Sequence, residues 1–483
     1  MRYKRGQAST SWQARPLTVL KALLSHGHIL AAVLAVPLGV ALFEQQWALS
    51  LALTVPTVFC LGAAALSTRY GVPKDLRENE AVCTFVAIFL LLSILPVPAF
   101  SVLGMGLHDA LFEAVSGVTS TGLTVAQGTM EWPFAGHILR GWLQWSGGFA
   151  IAVAGVALIL GPGAAASTMG HVGIDDRDIL TSTRSQARDL LIAYAVMTGI
   201  AIGLLVVLLP SWQEGVAVAL TAVSTGGFTP RADSLASYST GAQVVVILIC
   251  LSASVSLIAY AHLRKRDWRG ALEQSEAARY SGLALAGLVA VALVLWLTGQ
   301  PSLSDMLDAM FNFLSGLSTA GFSSAPINTE SGYLALVLLG MVIGGGIGST
   351  AGGVKFDRVI TLASMVRVSL LRLRVPPRAV TSLRDRRSKV AADQVISIGA
   401  VVFCYAVSAL VFWMFFLLSG EPPLSSLFEV ISALSTVGLS SGLTGAEMQT
   451  HLKYVLMAAM LLGRLEFLAL LLALSPGTWI KRS

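Results

Sequence analysis

The sequence Ser116-Gly-Val-Thr-Ser-Thr-Gly-Leu-Thr124 recurs three more times along the chain without a gap. The other copies read Thr221-Ala-Val-Ser-Thr-Gly-Gly-Phe-Thr229, Ser315-Gly-Leu-Ser-Thr-Ala-Gly-Phe-Ser323 and Ser432-Ala-Leu-Ser-Thr-Val-Gly-Leu-Ser440. Every position except the sixth keeps its chemistry, and the seventh is always glycine: Gly122, Gly227, Gly321 and Gly438. One stretch rich in Ser, Thr and Gly would indicate only a loop. Four in register predict one structural unit that is repeated four times.

The composition places these units in a lipid bilayer. Of the 483 residues, 55% are hydrophobic and 12% are charged, with a mean hydropathy of +0.75. Soluble domains carry about 25% charged residues, and spanning helices need about 20 apolar residues. Such stretches lie near 18–42, 47–67, 80–103, 136–161, 189–210, 241–262, 280–298, 333–371, 394–419 and 452–476. We therefore predict an all-α, multi-pass integral membrane protein.

Basic residues are distributed unevenly among the connections between these stretches. Most of the 32 Lys and Arg lie in alternate connections and at the ends of the chain, near 1–22, 68–80, 161–190, 262–279, 366–390 and 481–482. Arg140, Arg231 and Lys453 lie in the opposite set. Because cytoplasmic loops carry the excess of Lys and Arg, we predict that both termini are cytoplasmic. The net charge of +6 then reflects membrane topology and not a nucleic-acid partner.

The repeated unit also predicts the domain organisation. We expect a two-helix extension over 1–79, followed by helix–pore loop–helix repeats over 80–185, 186–275, 276–390 and 391–483. All four copies fall on the outer side, so we expect parallel repeats around a pseudo-fourfold pore, in contrast to inverted-repeat transporters. A short apolar segment precedes each copy and is predicted to be a re-entrant pore helix. Polar or acidic residues open these segments: Asp109, Glu214, Asp308 and Ser425.

The four loops have the composition of a selectivity filter. Irregular backbone at membrane depth is tolerated only where it is buried in protein or lines a water-filled path. Glycine allows backbone angles that direct carbonyl oxygens to a common centre, where they replace the water shell of a cation. We therefore predict binding of a monovalent cation at Thr119, Ser120, Thr121, Gly122, Ser224, Thr225, Gly226, Gly227, Ser318, Thr319, Ala320, Gly321, Ser435, Thr436, Val437 and Gly438. Packing turns without an ion would not explain the same turn four times on one side.

The stretch 333–371 is too long for one span. As a straight helix its roughly 39 residues would reach roughly 58 Å, against a hydrocarbon core of about 30 Å. Glycine is poor in helix interiors, so we predict a broken helix with a flexible gating loop below the third filter loop. The predicted gate residues are Gly344, Gly345, Gly346, Gly348, Ser349, Thr350, Gly352 and Gly353. A nucleotide-binding P-loop is excluded, because no hydroxyl follows Lys355 and no strand precedes the glycines.

Arg464 is the second predicted component of the gate. It lies inside the last apolar stretch, where a charge costs roughly 3 kcal/mol. Such residues face a cavity or a charged partner. We expect Arg464 to lie in the pore and to repel cations until the loop moves; the alternative is a buried ion pair with a carboxylate.

Catalytic and redox chemistry have no support in the sequence. The histidines lie mostly near helix ends without a partner motif, and no paired catalytic groups are visible at depth, so we predict no enzyme activity. The four cysteines (Cys60, Cys83, Cys250 and Cys404) lie far apart in apolar stretches, which excludes zinc or redox spacing. We expect no organic cofactor.

The four-loop pattern resembles the Trk/Ktr/HKT superfamily of potassium transporters, most closely the bacterial Trk-type membrane subunit. Three further stretches resemble family motifs: Arg140-Gly-Trp-Leu-Gln-Trp-Ser-Gly-Gly148, Gly344-Gly-Gly-Ile-Gly-Ser-Thr-Ala-Gly-Gly-Val-Lys355 and Leu462-Gly-Arg-Leu-Glu466. The resemblance covers roughly residues 20–480 and includes two extra N-terminal helices typical of the Trk branch. In this family a serine at the first filter glycine accompanies sodium selectivity, so four glycines imply potassium.

The resemblance also implies an assembly. It implies a homodimer in the bacterial inner membrane, regulated by a cytoplasmic ring of nucleotide-binding subunits. The basic connections 262–279 and 366–390 could dock that partner or bind membrane lipid headgroups, and the sequence does not decide between them. Sodium conduction or ion-coupled symport remains the alternative to channel-like potassium uptake.

Overall fold

The computed structural model of the chain is almost entirely helical. It describes residues 13–71, 73, 76–167, 176–299, 301–374, 376, 384–385, 388–389 and 392–480. The first half contains α1 (Pro16–Ser25), α2 (Gly27–Phe43), α3 (Trp47–Tyr70), α4 (Glu78–Ile94), α5 (Val97–Val102), α6 (Leu107–Val118), a 3₁₀ turn (Thr129–Glu131), α7 (Phe134–Ser167), α8 (Asp176–Leu208), α9 (Trp212–Val223), α10 (Thr240–Ala253), α11 (Leu257–Arg264) and α12 (Trp268–Ser275). The second half contains α13 (Ala277–Thr298), α14 (Leu303–Ser318), α15 (Leu334–Ile343), α16 (Phe356–Arg372), α17 (Ala392–Leu418), α18 (Pro423–Leu434), α19 (Thr450–Arg464), α20 (Leu468–Leu474) and α21 (Pro476–Trp479). Two short antiparallel strands, β1 (Arg384–Asp385) and β2 (Ser388–Lys389), lie between α16 and α17.

The predicted spanning helices are largely confirmed. In the described part of the chain, six straight helices are long and apolar enough to cross a bilayer, and two bent pairs raise the number to eight. The 34-residue α7 covers the fourth predicted stretch, and α15 with α16 covers the predicted broken one. The chain is therefore a multi-pass membrane protein.

Two helices that we expected to be continuous are broken, and that expectation was wrong. α10 and α11 meet at 88°, and α19 and α20 meet at 112°. The second break follows Arg464, where Glu466 has a φ of 57°. Arg464 therefore ends α19 and does not lie in the middle of a helix. The second helices of repeats 2, 3 and 4 thus all break, whereas α7 in repeat 1 is continuous.

A short pore helix precedes each of the four repeated loops, as predicted: α6, α9, α14 and α18. Ser211 caps α9 by accepting a hydrogen bond from the backbone N–H of Glu214. In α14, Ser302 and Asp305 form a reciprocal capping box. This helix begins earlier than we expected, so Asp305 and not Asp308 lies in its first turn. The Asp308 carboxylate instead accepts a hydrogen bond from Ser324 Oγ at 2.6 Å.

The buried core lies at the junctions between neighbouring repeats. One cluster joins the N-terminal extension to repeats 1 and 4, through residues such as Leu34, Phe100 and Leu470. A second, around Tyr194 and Phe322, joins repeats 1, 2 and 3. The remaining clusters join repeat 4 to repeats 1 and 3. The repeated loops are therefore held between repeats and not within one of them.

Candidate functional site

The four repeated loops close into one ring. A side chain on the seventh-position glycine of any repeat would overlap the sixth-position carbonyl oxygen of the next repeat. A Cβ atom on Gly122 would overlap the Gly226 oxygen, and one on Gly227 the Ala320 oxygen. A Cβ atom on Gly321 would overlap the Val437 oxygen, and one on Gly438 the Thr121 oxygen. The contacts run from repeat 1 through repeat 4 and back to repeat 1. Only a ring of four loops around one axis produces this cyclic order.

Two positions of each loop adopt left-handed backbone angles. At the seventh position, glycine has φ between 75° (Gly321) and 96° (Gly122), which costs glycine little. The fifth-position residues are not glycine, yet Ser120, Thr225, Thr319 and Thr436 have φ of 54°, 50°, 52° and 48°. A left-handed residue with a side chain costs about 1–2 kcal/mol. The surrounding structure therefore holds the same strained conformation in all four repeats.

Hydrogen bonds turn the loop amides away from the ring. The sixth-position N–H donates to the first-position carbonyl in every repeat, at 2.9, 2.8, 2.9 and 2.8 Å for Thr121, Gly226, Ala320 and Val437. The first-position hydroxyls also accept from the glycine amides in two repeats, Ser116 from Gly122 at 3.0 Å and Ser432 from Gly438 at 3.1 Å. The ends of the pore helices thus accept the hydrogen bonds of the loop amides, and these bonds do not engage the carbonyl oxygens of the loops.

The carbonyl oxygens of the ring have few protein partners. At positions five to seven of the loops, the Gly226 oxygen accepts a hydrogen bond from Gln144 Nε2 at 2.6 Å. The other carbonyl oxygens at these positions accept none from the residues that the structure describes. Buried carbonyl groups are almost always paired, so oxygens held here without a donor are suited to cations or water.

The fourth-position hydroxyls are engaged in hydrogen bonds inside the protein. Thr119, Ser224 and Ser318 lie at the ends of their pore helices and bond back into them, as with Thr119 Oγ1 and the Val115 oxygen at 2.7 Å. Ser435 Oγ bonds Tyr405 Oη at 2.7 Å. These hydroxyls hold the loops in shape, and the ion-binding role of the four residues stays a prediction.

The predicted gating loop, residues 344–355, lies against three of the four repeats. Thr350 Oγ1 lies 3.2 Å from the Val223 oxygen of repeat 2. The Gly352 N–H donates to Thr319 Oγ1 of repeat 3 at 2.7 Å, and the Gly353 N–H donates to the Ser435 oxygen of repeat 4 at 3.0 Å. The segment thus lies against the repeated loops of repeats 2, 3 and 4.

The loop is also bonded to the break in repeat 2. The Gly346 N–H donates to the Ser254 oxygen, and the Leu257 N–H donates to the Gly348 oxygen, both at 2.9 Å. Ser254 and Leu257 flank the 88° bend between α10 and α11. This bend therefore supports the gating loop from one side.

Arg464 contacts the same loop from the opposite side. Its Nη1 donates to the Thr350 oxygen at 2.9 Å, while its buried Nε and Nη2 have no hydrogen-bond partner in the part of the chain that the structure describes. The predicted alternative of an ion pair is not observed among the described residues, because Glu466 pairs with Arg358 of α16 instead. A cavity of about 10 Å³ beside the loop, lined in part by Gly352 and Arg464, has room for about one water molecule.

Comparison with known proteins identifies the family. The family model described as TrkH, cation transport protein, matches residues 80–260 and 298–479. The chain belongs to the TrkH family. It is 27% identical over 455 residues to the Trk system potassium uptake protein TrkH of Halomonas elongata, covering 90% of this chain and 92% of that protein. It is also 27% identical over 472 residues to the Trk system potassium uptake protein TrkG of Escherichia coli, covering 92% and 94%.

A solved structure confirms the fold of this TrkH family member. The crystal structure of the potassium transporter TrkH from Vibrio parahaemolyticus matches with a TM-score of 0.83 at 22% identity, over 96% of this chain and 100% of that one. The predicted all-α membrane fold is therefore confirmed. Family membership also confirms that the chain is a cation transporter and not an enzyme.

In this TrkH family protein, sequence reasoning missed a set of buried polar side chains that bind the ring of loops from behind and that we call anchors. In repeat 1, Glu113 accepts hydrogen bonds from Thr124 Oγ1 at 2.9 Å and from Arg140 Nε at 2.8 Å, and both charged side chains are buried. Repeat 2 has Val218 at the position equivalent to Glu113, and α7 supplies its anchor instead. Gln144 bonds both the oxygen of Gly226 and the amide of Phe228.

A sequence signal for these anchors exists. The position three residues before the first hydroxyl of each copy holds Glu113, Val218, Asn312 and Glu429. Two acids and an amide inside apolar pore helices are unusual, and aligning the repeats a few residues further upstream would have exposed them. Arg140 and Gln144 fall within a stretch that we quoted only for its family resemblance.

Basic residues that we predicted on the outer side form ion pairs with carboxylates. Arg231 pairs with Glu214 at 3.0 Å, and Lys453 Nζ pairs with Asp109 Oδ1 at 2.6 Å. The hydrogen bond from Arg231 to Glu214 raises the pKa of this guanidinium above its usual value. In this TrkH family member, all three basic residues predicted on the outer side, Arg140, Arg231 and Lys453, are therefore paired with carboxylates.

Proposed function

We propose that this protein is a potassium uptake subunit that conducts K⁺ through the four-loop filter. The observation that carries the proposal is the closed ring of loops. At positions five to seven, the carbonyl oxygens of these loops have no hydrogen-bond donor among the described residues, apart from the oxygen of Gly226. A dehydrated K⁺ requires a cage of carbonyl oxygens of this kind. The pore helices also direct their negative ends at the ring, which favours cations.

Two further observations favour K⁺ over Na⁺. The seventh position is glycine in all four repeats, with positive φ at each. The relatives reported above are named as potassium uptake proteins. Because every glycine packs against a neighbouring carbonyl, a larger residue at any of the four would disturb the spacing of the ring.

The gating loop and Arg464 form the proposed gate. The loop covers the inner ends of three filter loops through Thr350, Gly352 and Gly353. Arg464 holds the loop by its bond to Thr350 and places a buried charge beneath the filter. A cation leaving the filter would meet both, so conduction requires that the loop and this arginine move away.

The cellular setting follows from the same proposal. We infer a bacterial inner membrane protein with both termini in the cytoplasm, working as a homodimer with nucleotide-binding regulatory subunits of the Trk system. The basic connection around α12 is a candidate docking surface; much of the second connection, over 366–390, lies outside the described residues. The proposed domain boundaries are those given by the four repeats.

Ion competition tests the proposal. Purified protein in liposomes should take up ⁸⁶Rb⁺, with external K⁺ competing strongly and Na⁺ weakly. Equal competition by Na⁺ would contradict potassium selectivity. Rb⁺ accumulation beyond its electrochemical equilibrium, dependent on a Na⁺ or H⁺ gradient, would show the alternative of ion-coupled symport and contradict channel-like conduction.

A further inference from the structure

The carboxylate of Glu429 is buried behind the filter loop of repeat 4, and no described residue provides it with a cationic partner. Its side chain lies in α18 and is 0% exposed. Two other carboxylates in the described part of the chain are equally buried, and each pairs with an arginine: Glu80 with Arg15 and Glu113 with Arg140. Glu429 has hydrogen bonds only, from hydroxyl and amide groups. Buried charges are normally paired, so this exception needs a reason.

Four donors from the segment after the filter converge on Glu429. Oε1 accepts from Ser440 Oγ at 2.8 Å, from the Ser441 amide at 2.7 Å and from Ser441 Oγ at 2.8 Å. Oε2 accepts from Thr444 Oγ1 at 2.6 Å. An ionised carboxylate only accepts hydrogen bonds and has room for about four of them. The four donors therefore match the accepting capacity of an ionised carboxylate.

These bonds fix the outer limb of the filter loop. Ser440 follows the filter glycine Gly438 by two residues. On the inner side of the same glycine, its amide donates to Ser432 Oγ, which is also part of α18. Gly438 contacts the Thr121 oxygen of repeat 1 between these two attachments. The position of Glu429 thus sets how repeat 4 meets repeat 1 in the ring.

The equivalent positions in the other repeats do not supply a free charge. Arg140 cancels the charge of Glu113, and Val218 is apolar. Asn312 is neutral and bonds the Ser324 amide and the Ala325 oxygen, both at 3.3 Å. In repeats 1, 3 and 4 the side chain at this position binds the segment that follows the loop. Among the described residues, Glu429 is the one anchor whose carboxylate has no basic side chain beside it.

Resting on the function proposed above, we propose that Glu429 is a specificity-determining positioning residue of the filter. Its hydrogen bonds hold the fourth loop so that the carbonyl ring keeps the spacing that distinguishes K⁺ from Na⁺. Its charge attracts cations to a ring that is screened little from it inside the protein. Both the apparent affinity for the ion and the discrimination between ions therefore depend on Glu429.

The test compares Glu429→Gln with a matched control, Glu447→Gln. The control removes the same charge from an exposed position after the same filter loop. Each full-length variant is reconstituted in liposomes, and ⁸⁶Rb⁺ uptake is measured against Rb⁺ concentration and against competing K⁺ or Na⁺. For Glu429→Gln we expect the KM for Rb⁺ to rise and the preference for K⁺ over Na⁺ to fall, each by about tenfold. A change of this size is expected when hydrogen bonds to a charged group are replaced by hydrogen bonds to a neutral one. For Glu447→Gln we expect both to stay within about twofold, as is usual for an exposed charge.

A wild-type KM and ion preference in folded Glu429→Gln would overturn this role while leaving the proposed function intact. A wild-type protein without preference for K⁺ over Na⁺ would overturn both. If Glu429→Gln does not fold, the pair Ser440→Ala with Thr444→Val serves the same purpose, because it keeps the carboxylate and removes two of its donors. Reduced discrimination between K⁺ and Na⁺ in that variant would support the role, and unchanged discrimination would overturn it.

Discussion

At the scale of single residues, two arginines of equal charge have opposite surroundings. Arg140 pairs with Glu113, donates to the Thr229 oxygen at 3.0 Å and lies 4.0 Å from the centre of the Phe228 ring. Within the described ranges, Arg464 has one hydrogen bond, and two of its buried nitrogens have none. Their partners are distant in sequence: Glu113 is 27 residues from Arg140, and Thr350 is 114 residues from Arg464. Hydropathy therefore identified Arg464 as an anomaly but could not identify the pairing that makes Arg140 structural.

The ion pair between Arg140 and Glu113 should stabilise the folded protein strongly. Arg140→Ala leaves the Glu113 charge buried and unpaired, which costs about 3–5 kcal/mol. Arg231→Ala is the control, because its pair with Glu214 is partly exposed and such pairs contribute at most about 1 kcal/mol. We expect thermal unfolding in detergent to show a clearly larger loss for Arg140→Ala. Equal melting temperatures for the two variants would contradict a structural role for the buried pair.

At the scale of elements, the sequence predicted which segments cross the membrane but not where each helix bends. The break in repeat 3 was predictable because a glycine run interrupts a stretch too long for one span. The breaks after Ala253 and Arg464 carry no such run. They are stabilised by contacts with the gating loop, such as the two backbone bonds to Ser254 and Leu257. Hydropathy reports burial in lipid and does not report these distant contacts.

The gating loop offers a matched pair of glycines. A side chain at Gly352 would overlap the Ser435 oxygen, whereas the nearest atom to a side chain at Gly346 would be 3.5 Å away. Gly352→Ala should therefore unseat the loop and raise ⁸⁶Rb⁺ flux in the absence of any regulatory partner. Gly346→Ala should leave that flux near wild type.

Equal flux from Gly352→Ala and wild type, both correctly folded, would mean that the seated loop is not the barrier. If Gly346→Ala raised the flux as much as Gly352→Ala, the cause would be a stiffer loop and not the overlap with the Ser435 oxygen.

At the scale of the whole molecule, the fourfold arrangement could be predicted and its asymmetry could not. The nine-residue copies led directly to a ring of four loops, because repeated sequence implies repeated structure. The copies do not show that repeat 2 borrows Gln144 from α7, or that Glu429 lacks the arginine that Glu113 has. These differences lie outside the repeated residues, in contacts between repeats. The repeated sequence therefore predicts the ring, whereas the contacts that make its four parts unequal can be seen only in the folded molecule.

The most direct test of the central claim is the ion selectivity of Gly321→Ser. Gly321 has a φ of 75°, and a side chain there would overlap the Val437 oxygen of the next repeat. The control is Gly241→Ser, at an exposed helical glycine with nothing within 4 Å of an added side chain. In liposomes, ⁸⁶Rb⁺ uptake by wild type and Gly241→Ser should be inhibited by K⁺ far more than by Na⁺, and Gly321→Ser should lose that contrast. A folded Gly321→Ser protein with wild-type selectivity would contradict a potassium filter built from the four-loop ring.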